Sequence, residues 1–120
     1  MGGAEFVEEL LATVPQAAGA VEDSCADDGT VLVHLLLPDL NRLTVSAFHA
    51  DDLDLTARVL ALVGRGLVEG DEYLENAVAV SFVEHFGAGE GETEDLLALW
   101  PRPLRDELTR QHAEALRRRT

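Results

Sequence analysis

Few side chains here are of a type and spacing that could do chemistry: the chain has four His and one Cys against 23 Asp and Glu. His34 stands in Leu32-Val33-His34-Leu35-Leu36-Leu37-Pro38-Asp39, an almost unbroken apolar run. As a base or metal ligand it would need a partner at helical spacing, and no His or Cys lies at i+3 or i+4 from it. The run therefore reads as placing His34 at a helix edge or in the core, hydrogen-bonded to a backbone carbonyl. Glu84-His85 are adjacent, so on a helix they face different ways and cannot chelate together. His49-Ala50-Asp51-Asp52-Leu53-Asp54 joins an imidazole to carboxylates but lacks the Gly and distal Glu of a calcium loop. Helix capping explains Asp51 and Asp52 better. Cys25 lies among Glu22, Asp23, Asp27 and Asp28, whose charges disfavour a thiolate. Alone, it makes neither a disulfide framework nor a Cys-rich zinc site. Gly87-Ala88-Gly89-Glu90-Gly91 is Gly-rich, but its acid repels phosphate and no Lys follows, so it is not a P-loop. There is no Gly-x-Ser-x-Gly elbow. The expectation is no catalytic residue, no cofactor and no metal, hence not an enzyme.

The elements that would position these residues read as helices. Phe6, Leu10 and Val14 repeat at i, i+4, i+8, with Val7 and Leu11 beside them, and Pro15 ends that segment. Residues 16–26 form a short second helix weakened by Gly19, and Asp27-Asp28-Gly29 is a turn. Over 30–48 two readings compete. A β-hairpin would pair Thr30–Leu37 with Leu43–Phe48. A helix would start at Pro38, whose missing N–H costs nothing in a first turn, and stack Leu36, Leu40, Leu43 and Ala47. The helix is favoured because its neighbours are helical. Next, Leu55, Val59, Leu62, Val63 and Leu67 make a broad apolar stripe. Gly70 ends that helix and Asp71 caps the following one. The latter puts Leu74, Val78, Ser81, Phe82 and His85 on one face, widened by Ala77, Val80 and Val83, and ends at Gly87. This is an αα-hairpin, so its helices pack antiparallel. Residues 87–91 are a flexible acidic loop. Thr93 starts a short helix over Leu96, Leu97 and Trp100, and Pro103 opens a last one through Leu104, Leu108 and Ala115. The fold class is all-α, one compact domain over 1–120 of five to seven short helices in an αα-hairpin stack, with a basic helix end at 117–120. A chain of 120 residues can bury such a core without metal or disulfide support.

Charge narrows the partner. Residues 1–100 hold three Arg and 20 acids, a net of −17, while 101–120 hold six Arg and three acids, a net of +3. Lys is absent. A body this acidic repels nucleic-acid phosphates and anionic lipid. No apolar run reaches the roughly 18 residues of a membrane span, and the start has no basic n-region, so the expected location is cytoplasmic, with no nucleic acid and no membrane.

The pattern as a whole resembles the DUF7674 family of small bacterial proteins. The matching features are the acidic Phe-x-x-x-Leu-Leu helix at Phe6–Pro15, the apolar His-containing stretch with a following Asp at Val33–Asp39, and the Leu-rich helix at Leu40–Phe48. The hairpin through Leu55–Asp71 and the Ser-x-x-Glu segment within Ala79–Phe86 complete it. The resemblance implies a helical domain without an established enzyme activity, and it singles out His34 and Glu84. The expected function is an acidic protein-binding module for a basic protein. Its most concrete form is an immunity or antitoxin-like inhibitor of a basic toxin. The partner-binding candidates are His34, Asp51, Asp52, Glu69, Asp71, Glu72, Glu75 and Glu84, with Asp23, Asp27 and Asp28 as further acids that could gather on one edge. The alternative is a structural or regulatory homodimer built on an apolar strip around Trp100.

Overall fold

A computed structural model describes residues 1–87, 89 and 91–119. Among them lie seven α-helices: α1 Gly3–Thr13, α2 Ala18–Asp23, α3 Val33–His49, α4 Leu53–Glu69, α5 Glu72–Val78, α6 Glu94–Leu97 and α7 Arg102–Arg119. A 3-10 turn, Pro15–Ala17, precedes α2, and a π-helical segment, Ala79–Val83, continues α5 without a break. Among the described residues there is no strand, only an isolated bridge between Cys25 and Val31. The fold is all-α, as read from the sequence. Ala88, Glu90 and Thr120, part of the expected 87–91 loop and of the 117–120 end, lie outside the described residues.

The hairpin reading of 30–48 is wrong: Val33 to His49 is one helix. The favoured helical reading also needs correction, because Pro38 is inside the helix rather than in its first turn. An interior Pro loses one i→i−4 bond. Here the burial of Val33, Leu36, Leu37 and Leu40 on both sides of it outweighs that loss. The turn after α3 holds Asp51 at φ +60, a left-handed conformation that Asp tolerates. Asp52, not Asp51, caps α4, accepting from Leu55 N at 3.1 Å.

α4 is the central helix and packs on α1, α3, α5 and α7. Its Gly64 and Gly66 allow this: a Cβ at Gly64 would lie 3.3 Å from Pro101, and one at Gly66 3.2 Å from the Phe6 ring. The stripe Leu55, Val59, Leu62 and Val63 is buried as expected. At the other end of the core Trp100 is 2% exposed, with its ring centroid 5.5 Å from Phe82 and 4.8 Å from Phe86. The apolar strip expected around Trp100 is therefore interior, because residues 94–101 fold back so that this ring fills the core beside the π-segment. Among the described residues no helix is long and apolar enough to cross a membrane.

Candidate functional site

The candidate acids do not gather on one edge. Asp51 and Asp52 lie at one end of α4 and Glu69 at the other, about 25 Å apart at helical rise. Around Glu69 the chain makes a tight turn. Gly70 donates to Gly66 O at 3.1 Å, and a Cβ there would fall 2.2 Å from the same oxygen, so glycine allows α5 to start at once. Asp71 caps α5 by accepting from Leu74 N at 2.9 Å. Its acidic first turn, Glu72 and Glu75, suits the positive end of the helix. Glu69 itself is committed: Arg65 donates to it at 3.0 Å and to Glu9 at 2.6 Å. These two partners, Glu69 first, raise the Arg65 pKa further above its ordinary value. Asp71, Glu72 and Glu75 are exposed and enter no ion pair among the described residues.

The face of α5 that carries these acids borders α7. Next to Glu72, Glu75 and Asn76 on α5 lie Glu107 and Arg110 of α7, around a concavity of about 760 Å³. Further along, Val80 and Glu84 lie next to His112, Ala115 and Arg118 around a second one of about 360 Å³. Low numbers meet low numbers, so the two helices run parallel and the concavities form one groove. Gln111 joins its walls, donating to Ala79 O at 3.0 Å and to Glu107 at 2.8 Å. Ala79 O also accepts the π-type bond from Glu84 N at 3.0 Å. Val80 (39% exposed) lies on this face among the acids, and Tyr73 (48%) lies at its edge, where its ring also reaches His34 of α3. On the α7 wall the charges are internally paired: Arg110 donates to Glu107 at 2.7 Å and to Glu114 at 3.0 Å. The Arg110 hydrogen bond holds the Glu107 carboxyl below its ordinary value of 4.5, against the opposing effect of burial.

His34 lies on the other side of α5. Its Nδ1 shares a 2.8 Å hydrogen bond with Ser81 Oγ, and its ring meets the Tyr73 ring edge-on at 5.6 Å. The expected carbonyl partner is thus replaced by a hydroxyl 47 residues away, which the π-segment turns toward α3. Ser81 and His85 line an open groove of about 900 Å³ with Asn41, Val45 and His49 of α3. His85 is exposed, not part of the buried face as expected, because the wider π turn shifts the register after Ala79. The groove's far wall is Gly91-Glu92. His49 Nε2 donates to Gly91 O at 2.8 Å, and Glu92 accepts from the Asn41 side chain, from Gly87 N at 2.9 Å and from Gly89 N at 2.7 Å.

His34 and Glu84 are not brought together: one bonds Ser81, the other opens onto the α7 groove. Adjacent Glu84 and His85 do face different ways, lining separate grooves, as the roughly 100° between neighbours on a helix requires. Among the described residues no group of three or more His, Cys, Asp or Glu is placed to hold a metal ion. Cys25 Sγ donates to Val21 O at 3.3 Å. Sequence reasoning put Val80 in the apolar stripe of its helix, where the structure leaves it exposed, and it missed Tyr73 and the α7 wall. The exposed aromatic inside an acidic run was the available signal for Tyr73. The family model that matches, over residues 7–114, is a domain of unknown function, DUF7674. No curated protein and no solved structure matches the chain.

Proposed function

We propose that this chain, which belongs to the DUF7674 family, is an acidic protein-binding module that docks a basic protein through the exposed face of α5. Its most concrete form is an immunity or antitoxin-like inhibitor that covers a basic active site. One observation carries the reading. Asp71, Glu72, Glu75 and Glu84 are exposed along one helix, and none enters an ion pair among the described residues, whereas Glu9, Glu69, Glu107 and Glu114 each hold an Arg. The −17 body supports a basic partner and disfavours phosphate backbones and anionic lipid. Complementary charge raises the rate of encounter and rejects wrong partners.

The test is isolation from the native host at low salt, with charge-reversed variants as bait. A basic protein released by added salt is expected. It should be lost with Glu72→Lys/Glu75→Lys and retained with Glu94→Lys/Asp95→Lys, an equal charge change on α6. Recovery of the chain alone, or equal loss with both variants, rejects the reading.

A further inference from the structure

We infer that the occupant of the groove between α5 and α7 is a basic amphipathic helix. The inference rests on the docking reading above and specifies the element the partner presents. Four observations support it. The groove has the shape of a helix cradle: its walls run parallel from Glu72 to Glu84 and from Glu107 to Arg118, a length of about 18 Å, or three helical turns. Along that line the apolar side chains of Leu67, Ala79, Val80, Leu108 and Ala115 lie among the polar groups of Asn76 and Gln111. Its unpaired rim charges are acids on the α5 side, while Arg110 and Arg118 on the α7 side are held by Glu107 and Glu114. Finally, α7 is lightly packed where the groove runs, held by Leu108 and by the Gln111 bond to Ala79 O: only Leu104 and Leu108 of its 18 residues are buried, and Leu116 is 62% exposed.

A helix laid in such a groove buries its apolar stripe at i, i+3, i+4, i+7 and turns its flanks to the rims. Lys or Arg on the flank facing α5 would meet Glu72, Glu75 and Glu84. A second copy of this chain fits less well, since each copy carries −14 and like charge opposes association.

The probe is a fluorescein-labelled peptide of roughly 14 Lys and Leu residues, patterned to segregate Leu on one helical face. A scrambled peptide of the same composition is the control. Binding is read by anisotropy at about 50 mM salt, where charge is weakly screened. Val80→Asp and Ala115→Asp decide the matter, because each adds a negative charge but spoils the apolar line; both sites are exposed, and circular dichroism checks that the helices persist. The expected result is about tenfold weaker binding of the patterned peptide by each variant, and similarly weaker binding of the scrambled peptide by the wild type. Equal binding of both peptides, with either variant unchanged or tighter, overturns the groove inference and leaves diffuse charge attraction standing. Absence of binding by both peptides overturns the inference and the docking reading together. A dimer in sedimentation that Val80→Asp dissolves would make the occupant a second copy and overturns the inference as well.

Discussion

Replacing Gly70 with Ala probes the turn that sets the acidic face. The backbone there, φ −71 and ψ 153, is one any residue adopts, so no conformational strain is involved. The obstacle is contact. An added Cβ would lie 2.2 Å from Gly66 O and 3.0 Å from Cβ and Cγ of Leu74. The oxygen belongs to the last turn of α4 and Leu74 is fully buried, so neither can yield without moving a helix end. Overpacking of this kind costs about 1–3 kcal/mol. Ala also restricts the unfolded chain, which returns about 0.4–1 kcal/mol. The net loss is then about 1–2 kcal/mol, or a fall in Tm of roughly 4–10 °C for a domain of this size. Gly19→Ala is the internal control: it lies in α2 with nothing within 4 Å of the new Cβ, and it should leave stability unchanged or raise it by about 0.5–1 kcal/mol. Thermal and urea unfolding followed by far-UV circular dichroism measure both. A Gly70→Ala protein as stable as the wild type would refute the reasoning, since the α4–α5 turn would then adjust freely and its glycine would not position Asp71.

Asp71→Ala removes the α5 cap and should cost about 1 kcal/mol, while Asp71→Asn keeps a capping oxygen and should cost less; equal losses in urea unfolding would show that charge rather than capping matters. Trp100→Ala should destabilise by about 3–5 kcal/mol, because the ring is 2% exposed between Phe82 and Phe86; a loss below about 1 kcal/mol would place the ring at the surface instead. The Arg110 hydrogen bond keeps the folded Glu107 carboxyl below its ordinary value of 4.5. Its stabilisation is therefore complete above that value and lost as pH falls through the lower, folded one. The wild type should exceed Glu107→Gln in urea midpoint by a constant margin from neutral pH down to about 5, and the margin should shrink in more acid solution. A margin that widens toward acid would contradict the assignment.

What the sequence made legible was local. Asp52 and Asp71 could be read as helix caps because a cap acts within three residues of itself, and the stripe from Leu55 to Leu67 because the period of one helix reports its own buried face. Pro38 misled because first-turn preference is a weak force beside the burial of Leu36, Leu37 and Leu40. His85 was assigned to the wrong face because a constant α-helical period was extended through Ala79–Val83, where the structure widens the turn. The groove itself was not readable. Periodicity says that a face is apolar but not what lies opposite, and the α7 wall stands about thirty residues from α5, as the bond from Gln111 to Ala79 spans 32 positions. Glu69 looked as available as Glu72, although Arg65 stands four residues before it in the same helix; what lay beyond local reach was the link from Arg65 to Glu9 of α1, which holds that guanidinium in place.

The π-segment makes the chain's numbering part of its surface. Five residues there occupy a stretch that a regular helix would cover with one fewer. Deleting Val80 should let α-helical bonding run straight through, and every side chain from Ser81 to Phe86 would rotate by about 100° relative to the residues before it. Glu84 would leave the groove beside α7, His85 would leave the groove beside α3, and Ser81 would lose His34, all without shortening either neighbouring helix. A single inserted or lost codon at this point would thus turn the rest of that helix by more than a quarter turn. The same rotation would carry Phe82, Val83 and Phe86 away from Trp100 and the core, so the extra residue ties what the helix presents outside to how it packs inside.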